Sequence, residues 1–592
     1  MVGYSAPLRL WRDWLADSAG EGMRSQLSRL YSEGELEGWR HQYDQALAAY
    51  AAAYGEDAEV VIARCPAQMN VMGMHIDYGG MPSLRLAVKG ADTITVAGRS
   101  PAAAGTKRVR MTSILRSLEG DRSTGPDDGP RRDADFDGLD FELGDLLPAA
   151  NVGNRQALMD YAGRICSERE AATGSAVDDH WGILPKGQLI FLESYFRGRC
   201  AIGGFDALVC SNVSPSGGMS SSSALVISTA YAVLGIHGLR PGVDMCEEDL
   251  VDGIGTSEWI RGTRGGTADH GGMILGRMGE LVSVGVFPAK PMGRAALPPD
   301  YAAVIIDSGV PRVYDDAIKE ETVIAYPLGA FLVRELLLPD REGTTGWSGL
   351  CADYRDRIEF IRDISCDHLG IDVAQMYELL LAIPALTTLG EIEARARAAG
   401  SGQAFESMHR RDIGDKFPHI GPEYPIRLRR RFAFGLAEQD RVRAMVGYMN
   451  AGDMATALEL VRISHAGDRE TEVTDEDLRG RQTMAEEGVD RADLCFLPGG
   501  YGRMTPAYDR VATTINDFLL DSGGRTAGSV QRLGAGWGGN VGGLVRTEYV
   551  TGARRRDFEE LLRRELDIVC DLSDCIASPG EGACLITPPP EA

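Results

Sequence analysis

Residues 211–225 read SNVSPSGGMSSSSAL, and the rest of the chain must fold so as to accommodate them. Gly217 and Gly218 lead into four serines, Ser220 to Ser223, and an apolar helical run from Ala224 to Leu234 follows at once. Small residues let the backbone come close to a ligand. Consecutive N–H groups at a helix start, reinforced by the helix dipole, form an anion site. Serine hydroxyls there can bond phosphate or ligate Mg²⁺. The stretch reads as a phosphate cradle. A flexible Gly/Ser linker has a similar composition, but a linker need not run straight into an apolar helix. No GK[ST] follows, so the cradle is not a Walker-type P-loop.

At 592 residues the chain is long enough for two or more domains, and 44% apolar with 25% charged residues marks it as globular. A formal net charge of −25 excludes a general affinity for nucleic acid or an anionic membrane. No apolar run of about 18 residues is evident, so no transmembrane helix is expected, and no signal peptide is apparent at the N-terminus. The 11 cysteines lack CxxC spacing, which suits reduced thiols in a cytoplasm.

Apolar and charged positions alternate at helical spacing over residues 1–58, predicting a helical N-terminal extension. EVVIARC (59–65) reads as a strand. The polar cluster of Asn70, His75, Asp77 and Tyr78 that follows is a poor pattern for core packing, because buried polar groups need partners. A strand, turn and strand are expected over 91–113, and an exposed insertion over 117–142, rich in Asp, Gly, Arg and Pro. Helices are expected at 155–175 and 244–260, with strands at QLIFLES (188–194), 281–288 and 302–309. Residues 320–420 carry helical segments around 353–366 and 373–399, and helices return at 428–468. Asp269 lies between two glycine pairs in SEWIRGTRGGTADHGGM, where it can sit beside a ligand or simply stabilise a turn. Four glycines in RLGAGWGGNV are too many for an ordinary strand interior.

PSGGMSSSSAL resembles the phosphate loop of the GHMP kinases, P-x-x-x-G-L-x-S-S-A, with Met219 in place of Leu. PAQMNVMGMHIDYGG resembles the galactokinase opening motif G-R-x-N-L-I-G-E-H-x-D-Y-x-G-G, with Ala67, Gln68 and Met74 in place of Gly, Arg and Glu. SEWIRGTRGGTADHGGM is similar to E-x-x-x-G-T-x-G-G-x-M-D-Q, and RLGAGWGGNVGGLV to the third family motif G-A-G-F-G-G. GFDALVCSNV and the S-H pair ending at His465 add to the galactokinase-like pattern. All three motifs stand in the family's order.

The resemblance implies an α+β, two-domain GHMP kinase fold with mixed or antiparallel sheets and helices packed on them. Its domains would be an N-terminal one over 59–330 and a C-terminal one over 331–592, the latter with a divergent insertion at about 331–420. It implies ATP and Mg²⁺ as cofactors and a sugar-like small molecule as substrate, with no nucleic-acid or membrane partner and an open oligomeric state. Ser216, Gly217, Gly218 and Ser220, Ser221, Ser222 and Ser223 would hold the phosphates, and Ser221 and Glu258 the metal. Asp269 would be base or orienter at the acceptor hydroxyl, with Gln68 beside it. Met74, His75, Asp77, Gly266 and Gly536 would line the substrate, and the product would be a sugar 1-phosphate. Gln68 brings hydrogen bonds but no charge, so either turnover is slower, or another residue supplies the charge, with Arg261 and Arg264 as candidates, or the acceptor differs. Met74 cannot pair a C6 hydroxyl, which points to a 6-deoxy sugar or a pentose. The alternatives are a non-transferring sugar or ATP sensor on the same fold, and a kinase of a non-anomeric hydroxyl.

Overall fold

The computed structural model describes residues 3–17, 21–99, 105–115, 138–213, 217–263, 265–313, 316–414, 416–417, 419–469, 472–502, 504–520, 524, 526–534 and 536–588. It is a mixed helix-and-sheet structure, as the α+β expectation has it. The chain forms two compact units. The first comprises Met1–Met69, Arg85–Leu297 and Ala577–Ala592, and the second Asn70–Leu84 and Pro298–Ile576. The main division thus falls at Leu297 rather than at residue 330, and the chain crosses it four times.

The first unit is built on a nine-stranded mixed sheet. Its strands are β1 (Ala6–Pro7), β2 (Glu59–Met72), β3 (Ser83–Gly98), β4 (Arg108–Leu115), β5 (Leu139–Glu142), β6 (Phe205–Ser211), β7 (Glu280–Gly285) and β8 (Lys290–Ala296), with Cys584–Leu585 added beside β2. The order is β1-β2-β3-β6-β4-β5, with β7 on β3 and β8 on β7. β4 and β6 are parallel, and Val109 stands opposite Phe205. β2 is buried on both faces from Val60 to Met72, so its burial does not alternate along the strand.

The helices Leu8–Ala16 and Leu36–Tyr54 bury Trp11, Leu15, Trp39, Tyr43 and Tyr50 in one cluster with Val60, Ile94 and Val96 of the sheet. The expected N-terminal extension is therefore part of this unit's core. Tyr31 stacks on Trp39 with ring centroids 4.2 Å apart. Its hydroxyl donates to Asp92 Oδ2 at 2.7 Å. Asp92 Oδ1 lies 2.7 Å from Arg64 Nη2, and neither side chain is exposed to solvent. Arg64 Nη1 also donates to the carbonyls of Glu581 and Gly582, which ties the C-terminal segment to β2.

The second unit has a three-stranded antiparallel sheet of β9 (Tyr301–Asp307), β12 (Gly528–Arg532) and β13 (Asn540–Arg546), in the order β12-β13-β9. A short pair, β10 (Thr387–Thr388) and β11 (Pro425–Ile426), lies apart from it. The helices Leu428–Asn450 and Met454–Gly467 contribute buried residues to its core, among them Phe432, Phe434, Leu436, Leu458 and Leu460. His465 Nε2 lies 3.0 Å from Asp509 Oδ1, bracing that helix against Pro506–Phe518.

Four sequence expectations change. QLIFLES is not a strand; it lies in the helix Ile183–Tyr195, which buries nearly every residue from Leu184 to Leu192 and so shows no amphipathic stripe. The helical stretch expected over 373–399 breaks into Val373–Ala382 and Leu389–Ala398, with Pro384 between them and capping boxes at Asp372 and Thr388. The stretch at 353–366 holds only short turns of helix. One segment, Ala317–Arg341, is long and apolar enough to cross a membrane, with a mean hydropathy of 1.4, contrary to the expectation that no such run exists; 72% of its most apolar window is buried, as in a core helix. Of the insertion expected at 117–142, residues 117–137 lie outside the described residues, and 139–142 form β5.

Removing one partner of a fully buried ion pair leaves the other charge uncompensated. Asp92→Ala should therefore cost about 3–5 kcal/mol, read as a lower urea midpoint, while the exposed pair Arg164–Glu168 should contribute about 0.5 kcal/mol or less by the same measurement.

Candidate functional site

The Gly/Ser loop lies in the first unit. Gly218 has φ 77° and Ser220 φ 60°, both left-handed, so the chain turns sharply just before the helix Ser221–Ile236. Glycine takes that conformation without strain; Ser220 does not, and a strained non-glycine residue at a loop–helix junction marks a functional candidate. Among the described residues no side chain caps the first turn, which leaves the N–H groups of Ser221, Ser222 and Ser223 at the start of a 16-residue helix whose remainder is almost wholly buried. That arrangement fits an anion such as a nucleotide phosphate. Ser216 lies outside the described residues.

Asp269 sits in the first turn of the short helix Ala268–Ile274. The turn is anchored where Thr267 Oγ1 donates to Asp252 Oδ1 at 2.8 Å and Ala289 N donates to Asp252 Oδ2 at 2.8 Å. Burial raises the pKa of that Asp252 carboxyl above its ordinary value. The glycines after Asp269 serve packing. A Cβ on Gly271 would meet Val284 Cγ1 at 2.2 Å, and one on Gly272 would meet Arg85 Cβ at 3.1 Å and Gln68 Cβ at 3.6 Å. The helix therefore lies directly on β2 and β3.

This close approach assembles four side chains. Ser220 Oγ donates to Asp269 Oδ2. Gln68 Nε2 donates to Ser220 Oγ at 3.1 Å, and Gln68 N to the Met219 carbonyl at 3.2 Å. Arg85 Nη1 donates to Gln68 Oε1 at 2.9 Å and pairs with Asp269 Oδ1. Arg85 is 3% exposed. Of the sequence candidates, Gln68, Ser220 and Asp269 are thus brought together, and Arg85 is the member that motif reading missed. Its signal was a charge inside the apolar strand LRLAV. Arg261 pairs instead with Asp179 at 2.9 Å, so it does not supply the expected charge, and Arg264 lies outside the described residues.

Glu258 Oε1 is 2.7 Å from His270 Nε2, a partner the sequence did not suggest. Among the described residues no three His, Cys, Asp or Glu side chains gather to hold a metal. Ser221 and Glu258 carry oxygen donors of the kind Mg²⁺ takes alongside phosphate oxygens and water. Gly266 lies just before Thr267, with Trp259 Nε1 donating to the neighbouring Gly265 carbonyl at 2.9 Å.

Met74, His75, Asp77 and Gly536 belong to the second unit. Gly73 N donates to Glu438 Oε1 at 3.1 Å, and Glu438 pairs with Arg441 at 2.6 Å, both carboxylate and guanidinium fully buried. His75 has φ 60° and stacks on Tyr501 with centroids 4.2 Å apart and an 11° interplanar angle. Tyr501 also packs near Trp537 of the glycine-rich motif, and Arg532 lies 4.3 Å from the Trp537 ring centroid. Met74 is buried. Asp77 Oδ1 accepts from Tyr78 N at 3.1 Å. Gly536 has φ 146°, and a Cβ there would meet Arg312 Cγ at 2.8 Å. His75 Nε2 is buried without a hydrogen-bond partner among the described residues. Burial, with Arg532 and Lys319 nearby, holds the pKa of His75 well below its ordinary value.

The galactokinase galactose-binding signature matches residues 48–99. The crystal structure of Lactococcus lactis galactokinase complexed with galactose aligns with 92% of this chain and 99% of its own length, at a TM-score of 0.52 and 16% identity. The chain has the GHMP kinase fold in its galactokinase-like form. A mevalonate kinase aligns over 89% of this chain and 98% of its own, at a TM-score of 0.34 and 11% identity. A homoserine kinase from Cytophaga hutchinsonii aligns over 89% and 97%, at 0.33 and 12%. No curated protein sequence matches this galactokinase-like chain.

A histidine held neutral in the folded state, with its pKa depressed, adds stability above its unfolded value of 6.5, and that stability is lost as pH falls. Denaturation midpoints taken at pH 7 and pH 5 should drop for the wild type by an amount corresponding to up to about 1.4 kcal/mol per pH unit, and His75→Gln should drop less.

Proposed function

We propose that the protein is an ATP-dependent kinase of a monosaccharide-like small molecule, transferring the γ-phosphoryl group to the anomeric hydroxyl to give a sugar 1-phosphate. The observation that carries this reading is the hydrogen bond between Ser220 of the Gly/Ser loop and the Asp269 carboxylate, which sets an acid beside an anion cradle. In phosphoryl transfer the protein's work is positioning and charge stabilisation. Ser216, Gly217, Gly218 and the serines 220–223 hold the triphosphate through backbone N–H groups and hydroxyls. Asp269 orients the acceptor hydroxyl and takes its proton as the acceptor oxygen bonds to phosphorus and the bridging oxygen leaves with ADP. Mg²⁺, on Ser221 and Glu258, supplies neutralisation of the phosphate charge. Gln68 lies beside Asp269, and Gly266 lines its approach.

His75, Asp77 and Gly536 serve the sugar in this reading, and Met74 selects it. A thioether beside a CH₂OH group leaves that hydroxyl unpaired, at about 1–3 kcal/mol, so a 6-deoxy sugar or a pentose fits Met74 better than galactose. The protein works in a cytoplasm that keeps its cysteines reduced.

ATP-to-ADP turnover with Mg²⁺ across galactose, fucose, arabinose, glucuronic acid and amino sugars tests the reading. Turnover is expected on one of them and should fall about 10²-fold or more in Asp269→Asn. If ATP binds but no sugar is turned over, the chain is a sensor or acts on another alcohol. Met74→Glu should move the ratio of kcat/KM for galactose over fucose upward by about 5- to 100-fold; an unchanged ratio would remove Met74 from the specificity set.

A further inference from the structure

The charge at this site does not come from the first motif's own strand position. Gln68 is neutral, and the only guanidinium among the described residues recorded on Asp269 is that of Arg85, one strand over on β3. Nη1 of Arg85 serves two acceptors at once, Gln68 Oε1 and Asp269 Oδ1. Gln68 uses both ends of its amide, accepting from Arg85 and donating to Ser220. Ser220 closes the ring by donating to the other oxygen of Asp269. Each member has one orientation that satisfies all its neighbours, and a neutral amide is the side chain that can accept from a guanidinium and donate to a hydroxyl simultaneously. An arginine at position 68 could still donate to Ser220 but has no acceptor for Arg85, and it would set two buried cations side by side. Gly272 completes the device: a methyl group there would press on Arg85 Cβ and Cδ at 3.1 and 3.2 Å.

We infer that Arg85 is the charge-bearing positioning residue of this site, acting through Asp269, and that Gln68 is a second positioning residue that aims Arg85 and links it to the phosphate loop. This rests on the kinase reading and deepens it. Position 68 is not a weakened catalytic position; the charge has moved to the neighbouring strand, and the glutamine is the residue that this relocation requires.

The test measures steady-state turnover on whichever sugar the wild type accepts, with denaturation midpoints recorded for every variant. Arg85→Gln should lower kcat about 10²-fold while the KM for ATP stays within about threefold, since the cradle itself is untouched. Arg85→Lys should recover part of that loss, because it restores the charge without the planar fork. Gln68→Arg alone should fall below wild type, and the exchange Gln68→Arg with Arg85→Gln should recover about tenfold or more over Arg85→Gln. A merely structural role would lower the midpoints without the separation of kcat from KM. Wild-type turnover with an indifferent Arg85→Gln would overturn the inference, and so would folded variants in which neither Arg85→Lys nor the exchange recovers kcat. A wild type inactive on every acceptor is a separate result, which overturns the kinase reading and with it any role for Arg85 in catalysis.

Discussion

The Asp269 carboxylate is held from two directions, by a buried guanidinium on one oxygen and a loop hydroxyl on the other, and the layout of the first unit follows from satisfying it. A guanidinium as buried as Arg85 cannot be left without an anionic or hydrogen-bonding partner. Its partner must therefore come to the sheet, and the helix carrying Asp269 does so by discarding side chains at Gly271 and Gly272. The helix Glu247–Ser257 makes a similar concession at Gly255, where a Cβ would strike Thr267. The glycines around Asp269 suggest room for a ligand when read as sequence. In the folded protein those after it are contact surfaces, and their absent side chains bring charge, amide and hydroxyl within reach of one another.

The same solution recurs through the molecule. Arg64 pairs with Asp92 in the first unit; Arg441 with Glu438, Arg431 with Glu321 and Arg532 with Asp468 in the second, all with little or no solvent exposure. Such pairs add little net stability, because desolvation offsets much of the Coulomb attraction, but breaking one is costly. They act as constraints on which elements can be neighbours. Arg64 holds the C-terminal segment to β2, and Glu438 holds the turn after β2 through Gly73 N. Arginine suits this use because its fork serves several acceptors in fixed directions. Burial pushes the Asp468 pKa up to about 6, against the opposing pull of Arg532, so that pair is open to change in mildly acidic conditions.

Much of the fold was readable from pattern. The β-branched run at 59–65, the apolar helix after the serine loop and the paired helices at 428–468 each carry a period or a length that admits one structure. Reading failed where burial is complete. Ile183–Tyr195 is apolar on all sides, so its residues have no periodicity and QLIFLES looks like a strand. It failed again where punctuation is local, at Pro384 and the capping residues that divide 373–399 into two helices.

The sequence by itself determined the Gly/Ser loop at 217–223, the acid at Asp269 and the polar cluster at 70–78, because each is a local run whose character follows from adjacent residues. It also revealed that position 68 is neutral. Only the tertiary structure decided where the missing charge resides. Arg85 is 17 residues from Gln68 and 184 from Asp269 along the chain, and no local pattern encodes a contact of that span. Strand pairing, and two glycines thin enough to let a helix settle on the sheet, bring the three together.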